Sequence, residues 1–270
     1  MYLCAMLKKG SIGFLTIGLL ALLLTSCSDY QKLVKSTDYD LKYKKAIEYF
    51  DKKDYTRASA LMFELIPIYR GTEKVEEISY RYAYCYFHQQ DYTMAGYYFK
   101  NFIASFPVSQ YTEECAYMIA YCFYMDSPHP NLDQTNTYKA MEELQIFMNQ
   151  HPTSPRVADC NKLIDELREK LVRKSFDSAS LYYKLGEYKA AISALNNGLK
   201  EFPDTHYRED LMFLILKSSY DLAMGSVHDK MKERFQNTSE SYLAFNEEFP
   251  DSKHKREAER IYNNALKYLK

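Results

Sequence analysis

The chain has 270 residues, 47% hydrophobic and 26% charged, with a formal net charge of −1. That balance supports a packed fold and excludes a disordered chain, and without a basic excess nucleic acid is not the expected partner. Eight Gly and eight Pro are too few turn-formers for an all-β fold of many short strands, whereas 27 Tyr and no Trp supply many apolar rings with polar tips.

The first segment reads as a targeting sequence. Lys8 and Lys9 precede an apolar run of 14 residues, Ile12 to Thr25. Spanning a bilayer takes about 20 apolar residues, so the run suits the core of a signal peptide over 1–26. It ends in Leu24-Thr25-Ser26-Cys27, which resembles a bacterial lipobox. Lipidation is therefore expected at Cys27, with 27–38 as a tether. Several acyl chains on one residue give stable anchoring where a single chain gives marginal binding. Ser28 follows the cysteine; the absence of Asp there favours the outer membrane over the inner one. No cofactor is expected beyond this covalent lipid.

Beyond the tether the chain repeats itself. Ala46 to Ala58 reads as a helix end, a tight turn at Lys53-Asp54-Tyr55 and a new helix. Ala83 to Ala95 repeats the pattern with Gln90-Asp91-Tyr92, and Ala179 to Ala191 repeats it with Gly186-Glu187-Tyr188. A small residue lets the two helices of a hairpin approach, and the Tyr fills the corner. A second mark is an aromatic residue, Pro, any residue, then Ser or Thr. It occurs at Phe106, His151, Phe202 and Phe249, at spacings of 45, 51 and 47 residues. Pro disfavours helix in the residue before it, and Ser or Thr caps the helix that follows. These patterns resemble the tetratricopeptide signature. They predict an all-α, tetratricopeptide-type helical-hairpin solenoid with hairpins at 39–70, 73–107, 109–152, 154–203 and 205–250. A terminal helix over 253–269, apolar at Ile261, Ala265, Leu266 and Leu269, is expected to cap the stack.

Two departures from a regular array stand out. Asp126 to Thr137 carries Pro128, Pro130 and Asn131 and reads as a long loop; Val157 to Leu185 has no Gly or Pro and reads as one long helix. That helix divides the expected array into sub-arrays at 39–152 and 153–270.

Little in the chain points to chemistry. Cys115 and Cys122 are seven residues apart, about 10 Å along one helix and too far for a bridge. Cys85, Cys115, Cys122 and Cys160 read as buried thiols acting as small hydrophobes, and a Cys85–Cys115 bridge stays open. No Cys and His spacing suggests a metal. No nucleophile elbow, His-Glu-x-x-His or phosphate-binding loop is present. His88 with Asp91, His228 with Asp229, and His129 read as solvated residues at helix ends and in a loop. The protein is read as having no enzymatic activity.

Binding is better supported. In a tetratricopeptide array the first helix of each hairpin lines the concave face. The candidates for a peptide-binding groove are Tyr43, Ile47 and Phe50, then Tyr80, Tyr84 and Phe87, then Tyr117, Tyr121 and Tyr124. Spacings of three and four keep each set on one helix face. The same positions further on hold Phe176, Ser180 and Tyr183, then Leu214, Ser218 and Asp221. A core seam between hairpins has the same spacing, so groove and core both remain open. A second surface is basic, at Lys230, Lys232, Arg234, Lys253, Lys255 and Arg256, with a solvated helix face as its plain reading.

The lipobox, the five hairpins, the four aromatic-Pro marks and the length together resemble the BamD-type family of outer-membrane β-barrel assembly lipoproteins. The resemblance implies a non-catalytic scaffold whose N-terminal repeats receive unfolded outer-membrane protein substrates. It also implies that the C-terminal repeats dock on a BamA-like outer-membrane barrel protein. The competing expectation is a tetratricopeptide lipoprotein that binds nutrients or glycans for a transporter.

Overall fold

The computed structural model describes residues 29–270, and the signal segment with Cys27 lies outside the described residues. Among the described residues the chain is all helical. A short helix α1 (29–35) precedes α2 (Tyr39–Asp51), α3 (Tyr55–Ile68), α4 (Glu73–His88), α5 (Tyr92–Ser105) and α6 (Thr112–Met125). Then follow α7 (Thr135–Gln150), α8 (Val157–Lys184), α9 (Tyr188–Glu201), α10 (Arg208–Met224), α11 (His228–Glu248) and α12 (Lys255–Leu266). The pairs α2/α3, α4/α5, α6/α7, α8/α9 and α10/α11 are the five expected hairpins, so the fold is a tetratricopeptide-like repeat array.

Three of the hairpin turns share one device. Lys53, Gln90 and Gly186 have positive φ of 63°, 64° and 79°. After each, an N–H reaches back to the last turn of the finished helix: Asp54 to the Tyr49 carbonyl, Asp91 to Tyr86 and Glu187 to Tyr182. This is the Schellman closure that satisfies the last carbonyls of a helix. Asp54 and Asp91 then cap the next helix, their side chains accepting from the N–H of Arg57 and Met94.

The four aromatic-Pro marks also share one backbone. Phe106, His151, Phe202 and Phe249 have φ between −134° and −127° and ψ between 59° and 68°, outside the α region that a following Pro disfavours. The Ser or Thr of each mark works one turn earlier than expected. Ser154 Oγ accepts from Arg156 N–H at 3.2 Å, while the helix begins at Val157. Thr205 and Ser252 do the same for Tyr207 and His254. The polar side chain closes a tight lead-in turn, and the helix grows from it.

Small residues set the helix spacing. Ala46, Ala58, Ala83, Ala95, Ala179 and Ala191 are fully buried. Gly198 is closer still: a Cβ there would stand 2.7 Å from Ser175 Oγ on α8, so α8 and α9 approach through a missing methyl.

The described residues form two compact units, 29–122 and 123–270. In the first, α2 to α5 pack in sequence, and Leu33, Ala46, Leu61, Met62, Leu65, Ile78 and Tyr82 form the core. In the second, helices α7 to α12 pack in sequence, and α12 returns against α10. Ala258, Ile261 and Ala265 are its buried stripe, while Tyr262 stacks on Tyr242 and Tyr268 on Phe235. The long loop lies over 126–134 and is organised from within: buried Gln134 donates to the carbonyls of His129 and Leu132. From α8, Lys170 donates to Ser127 and Lys174 to the carbonyls of Pro130 and Leu132.

Candidate functional site

The first helices of successive hairpins are joined by one repeated bond. Tyr43 on α2 donates to Glu77 on α4 at 2.6 Å, and Tyr84 on α4 donates to Glu114 on α6 at 2.8 Å. Tyr124 on α6 donates to Glu166 on α8 at 2.5 Å, and Tyr183 on α8 donates to Asp221 on α10 at 2.7 Å. Each seam between first helices therefore carries a phenol bonded to a carboxylate, a charge-assisted pair. Three of the phenols are groove candidates, and the fourth joins two of the positions projected onto the later repeats.

The remaining candidates fill the spaces around these bonds. Tyr80 stacks on Tyr111 at 4.3 Å and meets Tyr84 edge-on. Phe50 packs against Tyr55, with the Arg81 guanidinium over its ring. Phe87 meets Tyr92 and Tyr121, and Tyr121 stacks on Tyr117. Ile47 packs on the core of the first unit. Tyr117 is buried; the other eight candidates are half-buried. The stripe is thus partly taken up by the seams between hairpins and partly exposed. In the later repeats Phe176 stacks on Tyr207, and buried Ser218 donates to the Leu214 carbonyl.

Burial and polar partners raise the pKa of three of these phenols, Tyr43, Tyr84 and Tyr183. Tyr43 is pushed up to about 12 by burial and by its bond to Glu77. Tyr84 and Tyr183 are raised further, first by burial and then by the hydroxyl and carboxylate groups they face.

The other expected residues lie apart. His88 stacks on Tyr55 at 4.4 Å, its pKa lowered by burial and by Lys53. Lys230, Lys232, Lys255 and Arg256 are exposed. Lys253 pairs with Asp210, and Arg234 bonds Ser226. No disulfide joins the described cysteines, all four of which are buried; burial pushes the Cys85 and Cys115 thiols up to about 12. Among the described residues no group of three or more side chains is placed to hold a metal, and no helix is long and apolar enough to cross a membrane.

One feature escaped the sequence. A pocket of ≈ 580 Å³ opens between α3 and α5 over Tyr82 of α4. Tyr82 and Tyr84 leave α4 roughly 200° apart at about 100° per residue, so the pocket and the aromatic stripe use opposite faces of that helix. Its walls come from residues far apart in the chain, and no local periodicity marks it.

Comparison with known proteins places the chain. A family model described as YfiO, outer membrane lipoprotein, matches residues 36–234. No curated protein matches. Among solved structures the chain is similar to the TPR domain of P58(IPK), with 16% identity and a TM-score of 0.40 over 88% of this chain and 67% of that one. It is also similar to the TPR2AB domain of yeast Sti1 in its pHSP90 complex, with 11% identity and a TM-score of 0.39 over 84% and 98% of the two chains.

Proposed function

The chain belongs to the YfiO (BamD-type) family of outer membrane lipoproteins, and on that premise we propose that it is a non-catalytic scaffold of outer-membrane barrel assembly. A lipid on Cys27 holds it on the periplasmic face of the membrane. The half-open aromatic stripe of the N-terminal repeats receives segments of unfolded barrel proteins. The C-terminal repeats dock on a BamA-like barrel subunit, and the sub-arrays divide near 152–153.

The observation that carries this reading is the family match, which runs through all of the first three hairpins and both helices of the fourth. The exposed part of the stripe supports the peptide role. Rigid rings with few rotatable bonds contribute contact area at low entropic cost.

The test is a mild-detergent pull-down of tagged, lipidated protein from its native membrane. Recovery of an outer-membrane barrel protein with periplasmic domains in near-equal amount is expected. Recovery of a nutrient transporter in its place would overturn the assembly reading in favour of nutrient or glycan capture.

A further inference from the structure

We propose that the pocket between α3 and α5 takes an acyl chain of the bilayer to which the protein is anchored, so that this face of the first unit lies on the membrane. The proposal rests on the lipoprotein reading of Cys27.

The pocket is ≈ 580 Å³, a volume typical of small-ligand sites, and Phe63, Ile66, Ile68, Tyr98 and Phe102 form its apolar walls over Tyr82. Its mouth is apolar as well. Phe63 is 66% exposed and Ile68 is 47% exposed. Single exposed apolar residues are ordinary, but here they border an apolar cavity, and such continuous surface marks a ligand or membrane contact. Aromatic rings with polar tips also suit the boundary between headgroups and hydrocarbon.

The position of α1 ties this face to the anchor. Leu33 is in the core of the first unit, and Tyr30 packs edge-on against Tyr49 with Arg57 over its ring. At the other end of α1, Lys42 Nζ donates to the Val34 carbonyl at 2.8 Å and to Glu64, a pocket residue, at 2.6 Å. Lys42 is 1% exposed, so the ammonium end of this clamp is shielded from solvent, while Glu64 stays partly open to it. Tyr30 lies beside Arg57 and Val34 beside Glu64; α1 therefore runs along α3 towards the pocket. In the sequence only Ser28 separates Cys27 from the described residues. That link spans about 7 Å when extended. Along α3 the pocket wall begins about 9 Å beyond Arg57. An anchor this short holds the N-terminal end of α1, beside Arg57, at the membrane surface, with the pocket one to two helical turns further along α3.

The walls suit an acyl chain: Ser79, Asn101 and Ser105 stand among the lining residues, but its one ionised side chain, Glu64, is paired with Lys42 and most of the remaining surface is apolar, so a ligand without polar groups of its own leaves nothing unsatisfied. An acyl chain brings no such groups.

The chain has no Trp, so Phe63→Trp places the sole tryptophan at the mouth, to be excited selectively at the red edge where tyrosine does not absorb. Full-length acylated protein carrying this change is reconstituted in phosphatidylethanolamine and phosphatidylcholine vesicles, with or without bromine on the lipid acyl chains. The expected result is a clear loss of tryptophan emission with brominated lipid relative to unbrominated lipid. Adding Ile68→Glu should restore most of it while melting stays cooperative. Unquenched emission overturns the proposal; if it is also blue-shifted, the pocket holds the protein's own lipid or a peptide. The mass of the N-terminal peptide reads acylation of Cys27 independently. An unmodified cysteine sinks the anchor reading, and an acylated but unquenched protein sinks the pocket.

Discussion

The phenolic oxygen of Tyr84 lies 2.8 Å from Glu114 of the next hairpin. The bond crosses a seam where Tyr84 also packs edge-on against Phe99 at 5.0 Å. Because a partly buried hydroxyl donates to a carboxylate, the interaction should exceed an ordinary neutral bond. A double-mutant cycle of Tyr84→Phe and Glu114→Gln is expected to give a coupling of about 1–2 kcal/mol by urea unfolding. Additive single effects would show that the seam is held by ring packing alone.

The raised phenols make a signed prediction for pH. Tyr43 goes from an ordinary value of 10.0 to about 12, and Tyr82, Tyr84 and Tyr183 are also raised. A group whose pKa is higher folded than unfolded contributes stability that is fully present below the unfolded value. As pH rises the unfolded chain ionises first, so the contribution of Tyr43 is lost between 10 and about 12. The urea midpoint should show no tyrosine-linked loss up to about pH 9 and should fall steeply above pH 10. Tyrosinate absorbance should rise together with unfolding. An unchanged midpoint at pH 11 would contradict the burial of these phenols.

The turns offer a third test. Lys53 and Gln90 occupy the left-handed region with side chains attached, at φ 63° and 64°. That conformation costs a non-glycine residue about 1 kcal/mol. Lys53→Gly and Gln90→Gly should each stabilise the protein by up to about 1 kcal/mol. Gly186 has φ +79° and open space where a Cβ would stand, so Gly186→Ala should cost a similar amount from backbone strain alone. Thermal melts of the three variants give the signs directly.

The hairpins were legible because their signals are local. Pro107, Pro152, Pro203 and Pro250 break the helix at the residue before them, and three of the hairpin turns follow from two or three neighbouring residues. The expected bounds agree with the helices to within a few residues for the same reason. Ser154, Thr205 and Ser252 fit direct helix caps by sequence, yet each closes a turn ahead of its helix. A hydroxyl two residues past a Pro fits both roles until the backbone of the lead-in is fixed.

By itself the sequence determined the helical class, the number of hairpins, the positions of most turns and the rows of aromatics on the first helices, since each depends on a helix's own period or on backbone limits at single residues. Only the tertiary structure decided which parts of those rows are closed. Tyr43, Tyr84, Tyr124 and Tyr183 meet acids 34, 30, 42 and 38 residues away, and no spacing rule within one helix reaches that far. The pocket over Tyr82 and the clamp of Lys42 on Val34 and Glu64 were decided in the same way. Each is made by helices from different hairpins or from the tether, and exists only once hydrophobic burial has brought them together.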